Sequence, residues 1–172
     1  GGLPVSVKSA FEVAGLRWET GSPAHEGAIA VSDAVAVARL RAAGAIVLGT
    51  TNVAEMLMGY ESDNPLHGRT SNPWGLELTP GGSSGGESAA IAAGCSAGGL
   101  GSDGGGSLRV PAHFTGVCAL KPTPGRVPAT GHQPPCLGPF GLLAVAGPMA
   151  RTAGDLSARG RSKAPRSSTS TR

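Results

Sequence analysis

Aromatic and charged residues are both scarce in this chain of 172 residues. Aromatic side chains make up 3% of the sequence and charged ones 15%, whereas 29 residues are glycine. A chain of this length can bury a core of its own, but that core must be built from small side chains between many sharp turns. No stretch approaches the roughly 20 apolar residues of a transmembrane helix, so we predict no membrane span.

Cysteines are few as well. The three of them, Cys95, Cys118 and Cys136, form neither a C-x-x-C pair nor a group with histidine at metal-ligand spacing. We therefore predict no metal site, and a reducing, cytoplasmic location fits this cysteine usage best. The first residues lack an initiator methionine and the basic and apolar segments of a signal peptide, which predicts a chain incomplete at its amino end.

Positive charge is concentrated at the carboxyl end. Residues 157–172 contain five of the 14 basic residues and no acid, which leaves nine basic residues against 11 acidic ones in residues 1–156. A nucleic-acid surface needs clustered cations, and residues 1–156 contain no such cluster, so we predict no nucleic-acid binding. The tail has no apolar residue larger than alanine, and we predict that residues 157–172 are a disordered, basic, serine-rich segment.

The first third of the chain predicts an α/β layer. Alternating valines in residues 3–8 predict a short strand that ends at Lys8. Ser32 predicts the cap of a helix over residues 33–41, and Gly44 predicts its end. Strand and helix in quick succession favour a largely parallel sheet flanked by helices.

Later segments continue this pattern. Residues 45–48 are typical of a buried strand, and Thr51 or Asn52 predicts the cap of a short helix over residues 54–58. Residues 61–80 are rich in asparagine, proline and glycine, which predicts an ordered loop. A further helix is expected from residue 87 to residue 93.

Two glycine-rich clusters surround serines, at residues 81–86 and 101–107. A phosphate-binding P-loop would end in G-K-[ST], but Glu87 stands where the lysine would be needed. Residues 99–104 match G-x-G-x-x-G formally, although Asp103 would then face the pyrophosphate. We therefore predict no nucleotide site and no organic cofactor.

Residues 81–85 also satisfy G-x-S-x-G, the nucleophile elbow of α/β-hydrolases. That enzyme class needs a strand directly before the serine and a histidine after it. Residues 78–82 are loop-like, and the two later histidines are His113 and His132, of which His113 lies beside an aromatic residue in a sequence that favours a structural role. The elbow therefore remains a formal match.

Both clusters and Lys8 together suit the cleavage of an amide. An amide is a poor electrophile, so its hydrolysis needs an activated nucleophile, donors for the developing oxyanion and a proton source for the departing amine. Residues 104–107 supply consecutive backbone amides beside the hydroxyl of Ser107. A lysine can act as the base only if desolvation lowers its pKa from about 10.4.

These segments resemble the amidase signature, which fatty acid amide hydrolases, bacterial amidases and the A subunit of glutamyl-tRNA amidotransferase share. The matching segments are NPW at 72–74, GGSSGG at 81–86, GSDGGGSLR at 101–109, LKPTPGR at 120–126 and GPMAR at 147–151. The resemblance covers residues 2–156 and implies part of the amidase signature core, with helices flanking a mixed, largely parallel sheet. It also implies hydrolysis of a carboxylic amide without a metal or organic cofactor.

The resemblance implies a Ser-Ser-Lys triad and an acyl-enzyme. The family's catalytic lysine matches Lys8, its relay serine, which follows a cis peptide bond, matches Ser83, and its nucleophile, 24 residues further on, matches Ser107. The implied donors to the oxyanion are the backbone amides of Gly104, Gly105, Gly106 and Ser107. The residues implied to lie near the acyl pocket are Met58, Gly59 and Tyr60.

Other polar residues have structural interpretations. We expect Ser84 to cap the helix that follows it, Asp103 and Arg109 to form an ion pair, and Lys121 to be structural. Because the family domain is longer than this chain, two alternatives to an active hydrolase stay open: a non-catalytic remnant, and an A-subunit-like component of a glutamine-dependent amidotransferase. The expected partners are a small-molecule amide, a second copy of the chain or the missing remainder.

Overall fold

A computed structural model describes residues 2–160 of the protein. Five strands are present in this part of the chain: β1 (Pro4–Lys8), β2 (Ile46–Thr51), β3 (Gly98–Asp103), β4 (Cys118–Ala119) and β5 (Val145–Ala150). Five α-helices accompany them: α1 (Val35–Ala42), α2 (Gly85–Ala92), α3 (Arg109–Thr115), α4 (Gly138–Gly141) and α5 (Ala153–Gly160). Two single turns of 3₁₀-helix cover Pro23–His25 and Glu55–Leu57.

The strands form one sheet in the order β2-β1-β3-β5-β4. Strand β1 is parallel to both of its neighbours, β2 and β3, and strand β5 is antiparallel to both β3 and β4. The predicted fold class, a mixed sheet flanked by helices, is confirmed. Because β1 and β3 run in the same direction, their carboxyl-terminal residues, Lys8 and Asp103, lie at the same edge of the sheet.

Small and medium-sized side chains fill the core, as the composition predicts. One buried cluster contains Val7 and Leu100 of the sheet, Val37 of α1 and the ring of Phe11. A second cluster contains Ile91 of α2, Leu108 at the start of α3 and Met149 of β5. Val7 directly precedes Lys8 and Leu108 directly follows Ser107, so the two clusters fix the backbone beside both residues.

Strand β2 differs from its prediction as a buried strand. It lies at one edge of the sheet, and the side chains of Ile46 and Leu48 are 55% and 54% exposed. Local sequence indicated the strand correctly but not its burial, because burial depends on which elements cover it.

Helix α1 begins later than predicted. Ala34 is its N-terminal cap residue, so Ser32 does not cap it. Asp33 instead accepts a hydrogen bond from the amide of Ala14 at 2.8 Å and pairs with Arg41 at 3.0 Å. The predicted end is confirmed, because Gly44 follows the helix with a φ of 90°.

The short helix predicted over residues 54–58 is a single 3₁₀ turn, Glu55–Leu57, with Ala54 rather than Thr51 or Asn52 before it. Thr51 belongs to β2, and the side-chain amide of Asn52 donates to the carbonyl of Gly68 at 2.9 Å. That bond fastens the long loop over residues 61–80, which is ordered as predicted. Asn52 is therefore used for loop contacts and not for capping.

The tail prediction falls mostly outside the described residues. Helix α5 continues through Gly160, so the boundary predicted at residue 156 lies inside this helix. Residues 161–172 lie outside the part of the chain that the structure describes.

Gly99→Ala is expected to lower the free energy of unfolding by about 3 kcal/mol. A Cβ on Gly99 would overlap Glu87 Oε1 and would lie 2.6 Å from the carbonyl oxygen of Ser6. Both residues are buried, so neither atom can move aside cheaply. Urea titration followed by circular dichroism measures the change. The matched control is Gly49→Ala in strand β2, where an added Cβ meets nothing within 4 Å; equal stability of the two variants would contradict the prediction.

Candidate active site

Lys8 is the last residue of β1, and its side chain is fully buried at the carboxyl-terminal end of the parallel strands. Its Nζ lies 2.7 Å from Ser83 Oγ and 3.0 Å from Ser102 Oγ, and the Ser102 carbonyl oxygen is 3.5 Å away. Residues separated by 75 and 94 positions in the chain are thus brought together around one amine. The structure places Lys8 and Ser83 in direct contact.

Burial changes the acid–base behaviour of this amine. Desolvation lowers the pKa of Lys8 from 10.5 to about 7, although the negative charges of Asp103 and Glu87 act in the opposite direction. A lysine in this environment is neutral in a large fraction of molecules near pH 7. The site therefore provides the desolvation that a lysine base requires.

Ser83 and Ser107 open onto the same cavity, which has a volume of about 350 Å³. Ser83 is fully buried and follows a cis peptide bond from Gly82, and Ser107 is 8% exposed in the turn before α3. The amide of Ser84 donates to the carbonyl of Ser107 at 3.2 Å, which fastens one glycine cluster to the other. Ser83 and Ser107 therefore line one cavity, and Ser83 also contacts Lys8.

The turn over residues 104–107 supports only part of the predicted oxyanion site. None of the described residues accepts a hydrogen bond from the amide of Gly104, Gly105 or Ser107, and all three residues line the cavity. The amide of Gly106 instead donates to Asp103 Oδ1 at 2.9 Å. Gly106 is therefore not an available donor, contrary to the prediction, because a buried carboxylate has already paired with it.

Asp103 holds this turn in place. Its carboxylate, which is fully buried, accepts hydrogen bonds from Arg109 Nε at 3.0 Å and Lys121 Nζ at 2.9 Å, and from the amide of Leu108 at 3.1 Å. Burial alone would raise the pKa of Asp103, but hydrogen bonds from Arg109 and Lys121 hold it well below its usual range. The predicted ion pair is present, and Lys121 braces the same carboxylate.

The residues predicted near the acyl pocket, Met58, Gly59 and Tyr60, all line the cavity. Tyr60 donates a hydrogen bond from its hydroxyl to the carbonyl of Gly105 at 3.0 Å, so it also supports the turn over residues 104–107. Opposite Gly104, the ring of Phe140 is packed so closely that a Cβ on this glycine would lie 2.9 Å from Phe140 Cε2. The remaining wall is mostly apolar and includes Leu57 and Ala144.

Sequence reasoning missed Ser102, which stands one residue before Asp103 in β3. Its contact with Lys8 follows from the parallel pairing of β1 and β3, which places the ends of these two strands side by side. The signal available in the sequence was a hydroxyl residue in the second glycine cluster. Without the strand order, nothing distinguished it from the other serines.

Glu87 was also missed as part of this site. Its carboxylate extends from α2 to the sheet, where Ser6 Oγ donates to Oε1 and Thr51 Oγ1 donates to Oε2 at 2.8 Å. Burial raises the pKa of Glu87 to about 7, although these hydrogen bonds and the charge of Lys8 act in the opposite direction. Glu87 is thus a second buried ionisable group whose charge acts on Lys8.

Ser84 does not cap α2 with its side chain, contrary to the prediction. It occupies the cap position, but its hydroxyl donates to the carbonyl of Ser102 at 3.2 Å. This bond ties the start of α2 to the end of β3. The cap hydroxyl therefore orders the strand end that holds Ser102 and Asp103.

The elbow of an α/β-hydrolase is absent here, because residues 78–82 are not a strand. His113 is exposed on α3, whereas His132 lines the cavity. Among residues 2–160, no group of three histidine, cysteine or acidic side chains is arranged to hold a metal ion. Within the same range, no helix has both the length and the apolar character needed to cross a membrane.

The sequence profile of the Amidase family matches residues 1–168. The chain belongs to the amidase family. It is 48% identical over 155 residues to human fatty-acid amide hydrolase 2, and the matched region is 90% of this chain and 29% of that protein. It is 46% identical over 160 residues to the A subunit of the glutamyl-tRNA(Gln) amidotransferase of Roseiflexus castenholzii, covering 90% of this chain and 31% of that one.

Solved structures of amidase family members share the fold. A structure of 6-aminohexanoate cyclic dimer hydrolase complexed with substrate matches with a TM-score of 0.85 and 35% identity, covering 92% of this chain and 33% of that chain. The chain therefore spans about a third of the length of these amidase relatives. Within that third lie both glycine clusters and the lysine strand.

Proposed function

We propose that this protein hydrolyses a carboxylic amide through an acyl-enzyme on Ser107, with Ser83 as relay and Lys8 as base. The observation that carries the proposal is the 2.7 Å contact between a fully buried Lys8 Nζ and Ser83 Oγ, behind a cavity that Ser83 shares with Ser107. Membership of the amidase family supports amide hydrolysis as the reaction class.

Ser102 supports a specific direction of proton transfer. Its hydroxyl and carbonyl oxygens lie 3.0 and 3.5 Å from Lys8 Nζ, so both can accept N–H bonds from the amine. A neutral amine that donates to these two oxygens keeps its lone pair for Ser83. Ser83 then gives its proton to Lys8 while it receives the proton of Ser107, and Ser107 Oγ becomes the nucleophile.

The following steps use the glycine turn. Attack of Ser107 Oγ on the amide carbon places negative charge on the carbonyl oxygen, toward which the amides of Gly104, Gly105 and Ser107 can donate. The proton held by Lys8 returns through Ser83 to the nitrogen, the C–N bond breaks, and the acyl group stays on Ser107. Water, which loses a proton to Lys8 through Ser83, then attacks the acyl carbon. The bond between the acyl carbon and Ser107 Oγ breaks, and the proton returns from Lys8 through Ser83 to Ser107 Oγ, so the acid and the free serine are released.

A fluorophosphonate probe tests this proposal, because it phosphonylates an activated serine hydroxyl. We expect the probe mass on the peptide that contains Ser107, and loss of that labelling in Lys8→Ala. Mass spectrometry of the digested protein locates the adduct, and circular dichroism verifies that each sample is folded. A folded protein that stays unlabelled would contradict the proposal.

That unlabelled outcome would favour a non-catalytic role of the amidase fold, which is the second candidate because the chain spans about a third of its relatives. An A-subunit-like role is favoured by the 46% identity to the A subunit of a glutamyl-tRNA(Gln) amidotransferase. Glutamine hydrolysis that appears only after amidotransferase partner subunits are added would identify this role. Three expectations stay predictions. They are a small-molecule amide as substrate, a second copy or a remaining part of the chain as partner, and a cytoplasmic location.

A further inference from the structure

His132 lies in the cavity wall, and one of its ring nitrogens is buried without a hydrogen-bond partner among the described residues. The residue is 5% exposed, and its Nε2 makes no hydrogen bond to any of the described residues. It lines the same cavity as Ser83 and Ser107. An unpaired buried polar atom is costly unless something that enters the site supplies its partner.

The other ring nitrogen fixes what Nε2 can do. Nδ1 lies 2.7 Å from the carbonyl oxygen of Pro134, which can only accept a hydrogen bond, so the proton is on Nδ1 and Nε2 presents a lone pair. Cys136 Sγ, at 3.6 Å from Nδ1, offers only a weak additional contact. Burial lowers the pKa of His132 to about 4, with the charge of Lys8 acting in the same direction and the Pro134 bond against it. The ring is therefore a neutral acceptor near pH 7.

The ring is also held in place. The amide of Gln133 donates to the carbonyl of Ala10 at 2.8 Å, and the amide of Glu12 donates to the carbonyl of Gly131 at 2.9 Å. Phe11, between these two positions, contacts the imidazole edge to face with 4.9 Å between ring centroids. The segment that follows Lys8 thus anchors the backbone on both sides of His132, and turning the ring would break its contacts with Phe11 and with the Pro134 carbonyl.

We infer that His132 is a substrate-binding residue whose Nε2 accepts a hydrogen bond from an O–H or N–H that the substrate carries in addition to the amide to be cleaved. This inference rests on the proposed amide hydrolysis. The cavity that His132 lines has apolar wall residues that include Leu57, Pro134, Phe140 and Ala144, and its volume of about 350 Å³ is near the lower end for ligand sites. The substrates are therefore small amides with a hydroxyl or amino group on a largely hydrocarbon frame.

Matched ligands test this inference without turnover. The three isomeric hydroxybenzamides and the corresponding methylbenzamides are titrated into the Ser107→Ala variant of the full chain, and Kd is measured by calorimetry. We expect at least one hydroxyl compound to bind about tenfold more tightly than its methyl counterpart, because the methyl group leaves Nε2 unpaired. Equal binding within every pair, or no binding of any compound, would overturn the inference.

Two variants of His132 separate recognition from packing. His132→Asn keeps an N–H that can reach the carbonyl of Pro134 but has no acceptor atom at the position of Nε2, so the hydroxyl preference should fall to less than about twofold. His132→Gln restores an acceptor near the Nε2 position and should retain part of the preference. A preference that is unchanged in His132→Asn would overturn the inference.

One readout leaves His132 intact, in case these variants unfold. In ¹⁵N-labelled Ser107→Ala protein, the Nε2 resonance of His132 should shift on binding of the preferred hydroxyl compound and not of its methyl partner. An Nε2 resonance that does not distinguish the two would contradict the inference. A His132-dependent preference in a protein that is neither labelled by fluorophosphonate nor active on amides would instead contradict the proposed function and support substrate recognition alone.

Discussion

Ser107→Ala is expected to lower kcat for amide hydrolysis by about 10⁴-fold or more, while the fold is retained. Ser107 is the hydroxyl residue that lines the cavity beside the amides of Gly104 and Gly105, so alanine removes the atom that would bond to the acyl carbon. Ser83→Ala should cost a similar factor, because it removes the hydroxyl that relays the proton between Ser107 and Lys8 in the proposed mechanism. Release of ammonia from primary amides measures both effects.

The double variant Ser83→Ala, Ser107→Ala tests whether the two serines act on the same proton route. If Ser83 and Ser107 act as one unit, removing both should lower kcat by no more than a few-fold beyond the worse single variant. Ser88→Ala is the matched control, because Ser88 is also fully buried but its hydroxyl donates to the carbonyl of Gly85 within α2. Losses of kcat that multiply in the double variant would contradict a shared proton route. A loss of about 10⁴-fold in Ser88→Ala would show that unfolding, and not removal of a reacting hydroxyl, lowers the measured activity.

The pH dependence of hydrolysis should follow the ionisation of Lys8. Because desolvation lowers the pKa of Lys8 to about 7, kcat/KM should rise with pH up to about 7 and level off above it. At pH 6, about a tenth of the plateau rate is expected, since about a tenth of the amine is neutral there. Lys8→Arg should be inactive at every pH, because arginine keeps its proton. A wild-type profile that rises only near pH 10 would contradict a desolvated lysine base.

Lys8 also makes stability depend on pH in a defined direction. In the unfolded chain Lys8 binds its proton up to about pH 10.5, whereas in the folded protein it does so only up to about pH 7. Between these values the unfolded state binds more protons, so this group makes the free energy of unfolding rise as pH increases. Lys8→Met should therefore stabilise the protein by roughly 1–4 kcal/mol at pH 6 and by less at pH 10.

Urea titrations of wild type and Lys8→Met at several pH values measure this difference. Lys121→Met is a useful comparison, because Lys121 is 23% exposed and pairs with the Asp103 carboxylate, so its removal should destabilise the fold. A stability gain of Lys8→Met that grows with pH would contradict the assigned sign.

Local patterns predicted much of the site for a physical reason. Residues 104–107 can form a tight turn only with glycine-like backbone freedom, and Gly106 has a φ of 140° there. Lys8 ends a run of alternating valines, which buries the strand and thereby the residue at its end. Composition and spacing were thus sufficient to indicate the two serine clusters and the lysine strand.

The same patterns did not predict contacts that depend on packing. Ser32 was expected to cap α1, but Asp33 pairs with Arg41 and the helix begins at Val35. Strand β2 was expected to be buried, but its burial is decided by which elements cover the sheet edge. Gly106 was expected to donate to an oxyanion, but its amide is directed at the Asp103 carboxylate. Each error concerns a partner that is not determined by neighbouring residues.

By itself the sequence determined the chemistry that this protein can present: two hydroxyls in glycine-rich turns, an amine at the end of a strand, and membership of the amidase family. Only the tertiary structure decided which groups meet. Parallel pairing of β1 with β3 places Ser102 beside Lys8, and the segment after β1 holds His132 in the cavity wall. The reason is that contacts across 75 to 94 residues depend on strand order and burial, which no local run of residues specifies.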